Sequence, residues 1–133
     1  HQIQLEAYAL LPVGGNEAPL QRWSFVGGPG TLPADSVAMM RGDHVLYLHS
    51  LYFVPLRGLT LPIVGEPALR FEHAAAASWR TGDPMPDLEQ NVGVGLQLNM
   101  IHASVVVNAA ERPRDFHFTL GLTLPGERTL PIF

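Results

Sequence analysis

Six histidines and no cysteine are the residues of this 133-residue chain best suited to chemistry. Without thiolates, a metal would have to be held by imidazole and carboxylate. His1 could chelate copper through its amine and ring, but this needs a second histidine presented opposite it. No His-x-His or His-x3-His pair supplies one, and His44 and His49, five apart, fall on opposite sides of a strand. The scatter fits surface or lumen histidines, so neither a metal nor a cofactor is expected. Arg70 and Glu72, two residues apart, share one strand face and are the pair expected to join as ions. Glu6 and Asp115 occupy equivalent wet-face positions. No Gly-x-Ser-x-Gly elbow, phosphate loop or carboxylate pair at catalytic spacing occurs. Gly27-Gly28-Pro29-Gly30 lacks the Lys and the following helix of a phosphate cradle, and reads as a turn. No catalytic residue is assigned and no enzyme is expected.

What positions these groups is a period-two pattern. Asn91, Gly93, Gly95, Gln97 and Asn99 alternate with Val92, Val94, Leu96, Leu98 and Met100. Ser104, Val106 and Asn108 alternate with Ala103, Val105, Val107 and Ala109, and Asp115 to Leu124 repeats the pattern with Phe116 and Phe118. Strands send successive side chains to opposite faces, so each has one aliphatic and one polar face. The polar face carries Gln, Asn, Thr, Ser and Gly; charges such as Asp83, Asp87, Glu89, Glu111, Arg112, Arg114, Glu127 and Arg128 fall between the runs. A membrane barrel, with lipid outside and a polar lumen, alternates in this way. So does a half-buried soluble barrel or sandwich, and the period does not choose between them.

Four further runs complete seven expected strands: Gln2–Leu11, Leu20–Val26, His44–Leu56 and Leu69–Trp79. Pro12–Pro19, Arg57–Pro67 and Thr81–Gln90 are turn-rich connections, and Ser36–Arg41 reads as one helical turn. The expected fold is all-β: an antiparallel meander, barrel or half-barrel of about seven to eight strands. Residues 1–125 form that domain, with a C-terminal tail at 126–133. Thr31–Met40 or Thr129–Phe133 offers an eighth strand, but the favoured expectation is that the first and last strands pair with another chain or with missing sequence. His1 in place of Met suggests processing or a longer parent.

Charged residues are 15% and hydrophobic ones 47%, with a mean hydropathy of +0.13. All eight basic residues are Arg and the net charge is −4, which offers nucleic acid no basic footprint. No run approaches the roughly 18–20 apolar residues of a membrane helix, so spanning would be by strands.

The succession of "PLQRWSFVGGPGTL", a long loop ending in "RGD", "LYLHSLYFVPL", "ALRFEHAAAASW", "NVGVGLQLNMIHASVVVN" and "DFHFTLGLTLP" resembles the C-terminal half of the transmembrane barrel of the bacterial surface antigen superfamily, the outer-membrane barrel assembly factors. The likeness runs from about Ile3 to Pro125. It implies a non-catalytic barrel of the bacterial outer membrane, engaged in insertion, translocation or scaffolding, with the lipid bilayer as partner. It also implies an inward-folded loop carrying Gly27, Gly28, Pro29, Gly30 and Arg41, and lumen polar residues Glu6, Arg70, Glu72, Gln97, Asn99 and His117. Two departures stand out: Leu32-Pro33-Ala34 replaces an Arg-Gly-aromatic motif, and the chain runs on past Leu124. The other reading is a soluble β-barrel or sandwich binding an apolar ligand or a protein. Tyr8, Trp23, Tyr47, Tyr52 and Trp79 near strand ends serve as an interfacial girdle in the first reading and as core aromatics in the second.

Overall fold

Alternation along the chain becomes one antiparallel sheet with a small ribbon folded against it. The computed structural model describes residues 1–14, 16–62, 65–110, 116–122 and 130–131. Its strands are β1 (Gln2–Leu10), β2 (Ser24–Val26), β3 (Met40–Gly42), β4 (His44–Pro55), β5 (Ala68–Trp79), β6 (Glu89–Leu98), β7 (Ile101–Asn108), β8 (His117–Leu122) and β9 (Leu130–Pro131). The main sheet runs β1-β4-β5-β6-β7-β8-β9, each neighbour antiparallel, while β2 and β3 pair separately. The fold is therefore all-β and meandering, interrupted only by the β2–β3 excursion. Among the described residues the sheet is not closed: β1 and β9 are its two edges.

Several expected boundaries move. Leu20–Arg22 is a 3-10 turn and only Ser24–Val26 is extended. Trp23 Nε1 donates to the Ala18 carbonyl at 2.8 Å, and this contact folds the chain back on itself before the strand begins. Thr31–Met40 supplies no strand beyond the single bridge Gly28↔Leu32, and Met40 belongs to β3. At Ser36–Arg41 the expected helical turn is a tight turn instead, closed by Met39 N donating to Ser36 O, with Ala38 at φ 55. β6 stops at Leu98, because Asn99 and Met100 form a two-residue hairpin turn. Asn99 lies at φ 52, a left-handed conformation that Asn tolerates. Within the tail, Leu130 and Pro131 join the sheet beside β8. Asp115, Thr123, Leu124 and the loop charges Glu111, Arg112, Arg114, Glu127 and Arg128 lie outside the described residues.

Register fixes the two faces. One cross-strand row reads Ile3, Tyr52, Phe71, Val94, Val105, Phe118; the next reads Val54, Leu69, Leu96, Ala103, Leu120. On the opposite face a row reads Gln2, Phe53, Arg70, Gly95, Ser104, Thr119. Over β6, β7 and β8 the aliphatic face is the more exposed and the polar face the more covered; on β1 both faces are exposed, and on β5 Ala75 and Ala77 are buried on the aliphatic side.

The apolar core lies at one end of the polar face, where the β2–β3 excursion packs on β4 and β5. Val26 and Leu32 bury against Val45, Ala74 and Ala76, with Leu10, Met40 and Tyr47 around them. Burying each of the two loop side chains contributes roughly 1.5–3 kcal/mol, about as much as a hydrogen bond to a charged group. The small Ala74 and Ala76 leave room for it. Gly27, at φ 119, is needed at the entry: a Cβ there would meet Ser36 O and Met39 N.

Candidate functional site

The polar face carries a chain of charged and hydroxyl groups across three strands. On β5, Arg70 donates from Nη2 (2.8 Å) and Nε (3.2 Å) to Glu72 Oε2, with both side chains almost fully buried. On β7, Ser104 Oγ donates to Glu72 Oε1 at 2.7 Å and lies 2.6 Å from Thr119 Oγ1 on β8. A hydroxyl has one proton, so Thr119 donates to Ser104 and Ser104 to Glu72. The relay ends on a carboxylate that also accepts from Arg70, which satisfies a charge that would be costly to bury alone.

Glycines make the space. A Cβ on Gly93 would lie 2.7 Å from Glu72 Oε1 and 2.9 Å from Val106 Cγ2. A Cβ on Gly121 would run into the His102 ring. Long polar side chains of β5 and β7 thus lie across glycines of β6 and β8, each strand lending its neighbour the volume of a missing side chain.

Nearer the core, the loop is pinned to this face by a carboxylate clamp. Asp35 Oδ2 accepts from Asn91 Nδ2 (2.9 Å) and Oδ1 from Asn108 Nδ2 (2.7 Å), while Asn91 Oδ1 accepts from Ala34 N (2.7 Å). Glu89 also accepts from Asn108, at 3.3 Å. Asn91 is 1% exposed. Beyond the end of the sheet, buried Asp43 accepts from Ala18 N (2.9 Å), Thr81 N (2.8 Å) and Thr81 Oγ1 (2.7 Å), and His44 Nδ1 lies 2.9 Å away. Burial alone would raise the pKa of this carboxyl. The hydrogen bonds from Ala18, Thr81 and His44 outweigh it and hold the group well below the usual carboxylate range.

Of the residues marked in the sequence, Arg70 and Glu72 meet directly. Gln97 lies on the same face, donating to Asn99 O at 2.6 Å. His117 is on it too, half-buried opposite Val106. Glu6 points to this side but sits exposed on the edge strand β1, opposite His49. Asn99 is not on the polar face, having left the strand for the hairpin turn. Gly27, Gly28, Pro29 and Gly30 begin the loop that packs on the sheet, whereas Arg41 pairs with Phe25 and stays exposed. Of the aromatic residues, Tyr8 and Tyr47 face each other on the polar side and belong to no outward girdle; Tyr52 and Trp79 are on the aliphatic side.

Asp35, Asn91, Asn108 and Asp43 carried no mark as site residues, since the contacts that join them to other segments, such as Asp43 with Ala18 and Asp35 with Asn91 and Asn108, reach 25 to 73 positions along the chain. The one available signal was a pair of asparagines on the wet faces of two consecutive alternating runs, which the register sets opposite each other.

On the aliphatic face, described strands β1 and β4–β8 present no Asp, Glu, Arg or Lys at any position. Its polar groups are few: His73 Nε2 lies 3.1 Å from Gln90 Oε1, Ser50 Oγ donates to His73 O, and His44 stacks on Trp79. Among the described residues, no helix is long and apolar enough to cross a membrane, and no three of His, Asp or Glu gather to hold a metal. Comparison of this chain with protein families, curated proteins and solved structures finds no match.

Proposed function

We propose that this chain forms part of the wall of a bacterial outer-membrane β-barrel, similar to the surface antigen superfamily, with a non-catalytic role in insertion, translocation or scaffolding. The aliphatic face meets lipid and the polar face lines the lumen. One observation carries this reading: six adjacent strands expose an aliphatic face without a single formal charge, while Arg70, Asn91, His102 and Ser104 on the other face are buried. Water-soluble sheets bury the aliphatic side and charge the other. An exposed apolar surface of this extent belongs against hydrocarbon or a partner.

In lipid an open edge leaves backbone N–H and C=O groups unpaired, at several kcal/mol each. The barrel is then completed beyond β1 and β8–β9, by further sequence or another chain. The loop from Gly27 to Asp43 lies inside the lumen, fixed by the Asp35 clamp.

The test is the native mass of the protein in and out of detergent, with flotation on phospholipid vesicles. A monodisperse species only in detergent, floating with vesicles and resisting alkaline extraction, is the expected result. A monodisperse detergent-free species that stays in the aqueous phase would favour a soluble β-domain whose aliphatic face is covered by a partner.

A further inference from the structure

We infer that the stacked pair His44–Trp79 marks the level at which hydrocarbon gives way to lipid headgroups, so that Trp79 sets the depth of the sheet in the bilayer; this rests on the lipid-facing reading above. Three observations carry it.

Trp79 is the last residue of β5 and shares the aliphatic face with Leu69, Phe71, Ala75 and Ala77. Ten residue steps lead from Leu69 to Trp79, which at about 3.4 Å per residue and a tilt of roughly 35–45° is a height of about 24–28 Å. The apolar band of an outer-membrane barrel is about 25 Å tall. One strand therefore spans it once, from an aliphatic lower end to an indole at the upper one.

The chemistry also changes at this residue. Below it the face is uncharged; immediately beyond it come Arg80, Thr81 and Asp83. Arg80 is ion-paired with Glu17 at 2.7 Å, and its guanidinium sits 5.1 Å from the Trp23 ring centre. An indole with an apolar body and an N–H donor is stable at such a boundary, which is why Trp gathers at membrane interfaces.

The backbone of Trp79 is also held in place. Gly42 packs so close that a Cβ there would strike Trp79 O, and the His44 ring stacks on the indole at 5.0 Å. A fixed indole can set the depth of a strand, where a mobile one would only follow it.

The chain has two tryptophans, Trp23 and Trp79, so its fluorescence can be assigned. Trp23→Phe, leaving Trp79 as sole emitter, is reconstituted in phosphatidylcholine vesicles. The lipids carry bromine either high on the acyl chains, near the glycerol, or low, near the terminal methyl. The shallow bromines should quench Trp79 more than the deep ones by about twofold or more. Val92→Trp, opposite His73 near the middle of the Leu69–Trp79 span, with both natural tryptophans changed to Phe, should show the reverse preference. If Trp23→Phe does not fold, the same ratio is read as the difference between the wild type and Trp79→Phe. Deep quenching of Trp79 equal to or above shallow, with Val92→Trp still quenched deep, overturns the depth assignment and leaves the lipid-facing sheet standing. Quenching of neither residue overturns both.

Discussion

Positions 91 and 92 are neighbours on β6, yet the chain buries the Asn and leaves the Val 40% exposed. The inversion continues along the strand and across the sheet. Gly93, Gly95 and Gln97 are covered while Val94 and Leu96 are open, and on β7 His102 and Ser104 are buried while Ile101 is exposed. The polar face is costly by ordinary rules, and it persists because nearly every group on it is satisfied: Glu72 by Arg70 and Ser104, Asn91 by Asp35 and Ala34. The aliphatic face makes no such demands, and the β2–β3 excursion packs on the other side. On the lipid-facing reading proposed above, what separates the two is the solvent each meets, since their geometry is the same pleat seen from its two sides.

The largest effect should come from breaking the polar face at its charge pair. Arg70→Met leaves Glu72 buried with Ser104 as its remaining donor, which should cost about 3–5 kcal/mol in unfolding free energy. Arg70→Met with Glu72→Gln removes both charges and should recover most of that loss. Urea unfolding of the reconstituted protein, followed by tryptophan fluorescence, measures both. A double variant no better than the single one would mean that charge pairing is not what holds this face.

Next comes the aliphatic face. Val92→Arg, opposite His73, places a charge near mid-height on the proposed lipid-facing reading and should destabilise the protein in bilayers by roughly 2–4 kcal/mol. Gln97→Arg, on the polar face, can hydrate its charge in a lumen and should lose clearly less. Folded yield in vesicles decides it, and equal losses would erase the distinction between the faces.

Asp35→Ala should be milder, about 1–3 kcal/mol, because Asn91 and Asn108 each lose an acceptor while Val26 and Leu32 still hold the loop. Limited proteolysis within residues 27–42 should speed up without loss of the strands. Unchanged cleavage would show that apolar packing alone fixes the loop.

Much of this architecture was legible in the sequence, because a side-chain period of two survives any environment. The paired faces of β6, β7 and β8 and the Arg70–Glu72 contact follow from spacing alone. Local competition was not legible. Leu20–Arg22 alternates like a strand, but the Trp23 indole bonds back to Ala18 and the segment curls into a 3-10 turn. Asn99 continues the alternation by residue type, yet the chain uses it for a left-handed turn. Nor could spacing reveal the Asp35 clamp or the glycines beneath Glu72 and His102, since both depend on which strands become neighbours and in what register.

The smallest effect should be at Asp43, beyond the end of both faces, where a carboxylate joins three segments. Its hydrogen bonds to Ala18, Thr81 and His44 hold its folded pKa below the unfolded value of about 3.9. A depressed carboxyl pKa gives stability that is fully present above the unfolded pKa and is lost as pH falls toward the folded one. Above about pH 5 the contribution should therefore be flat, and it should decline below about pH 4. Glu17 and Arg80, ion-paired close by, and His44, which touches Asp43, are the other titratable groups at this junction. Asp43→Asn keeps the shape but removes the charge, so it should loosen the junction at neutral pH and flatten the acid response. Trp23 emission, from an indole anchored to Ala18 beside the carboxylate, reports the junction directly. Wild type and Asp43→Asn following the same curve below pH 4 would assign the acid response to another group.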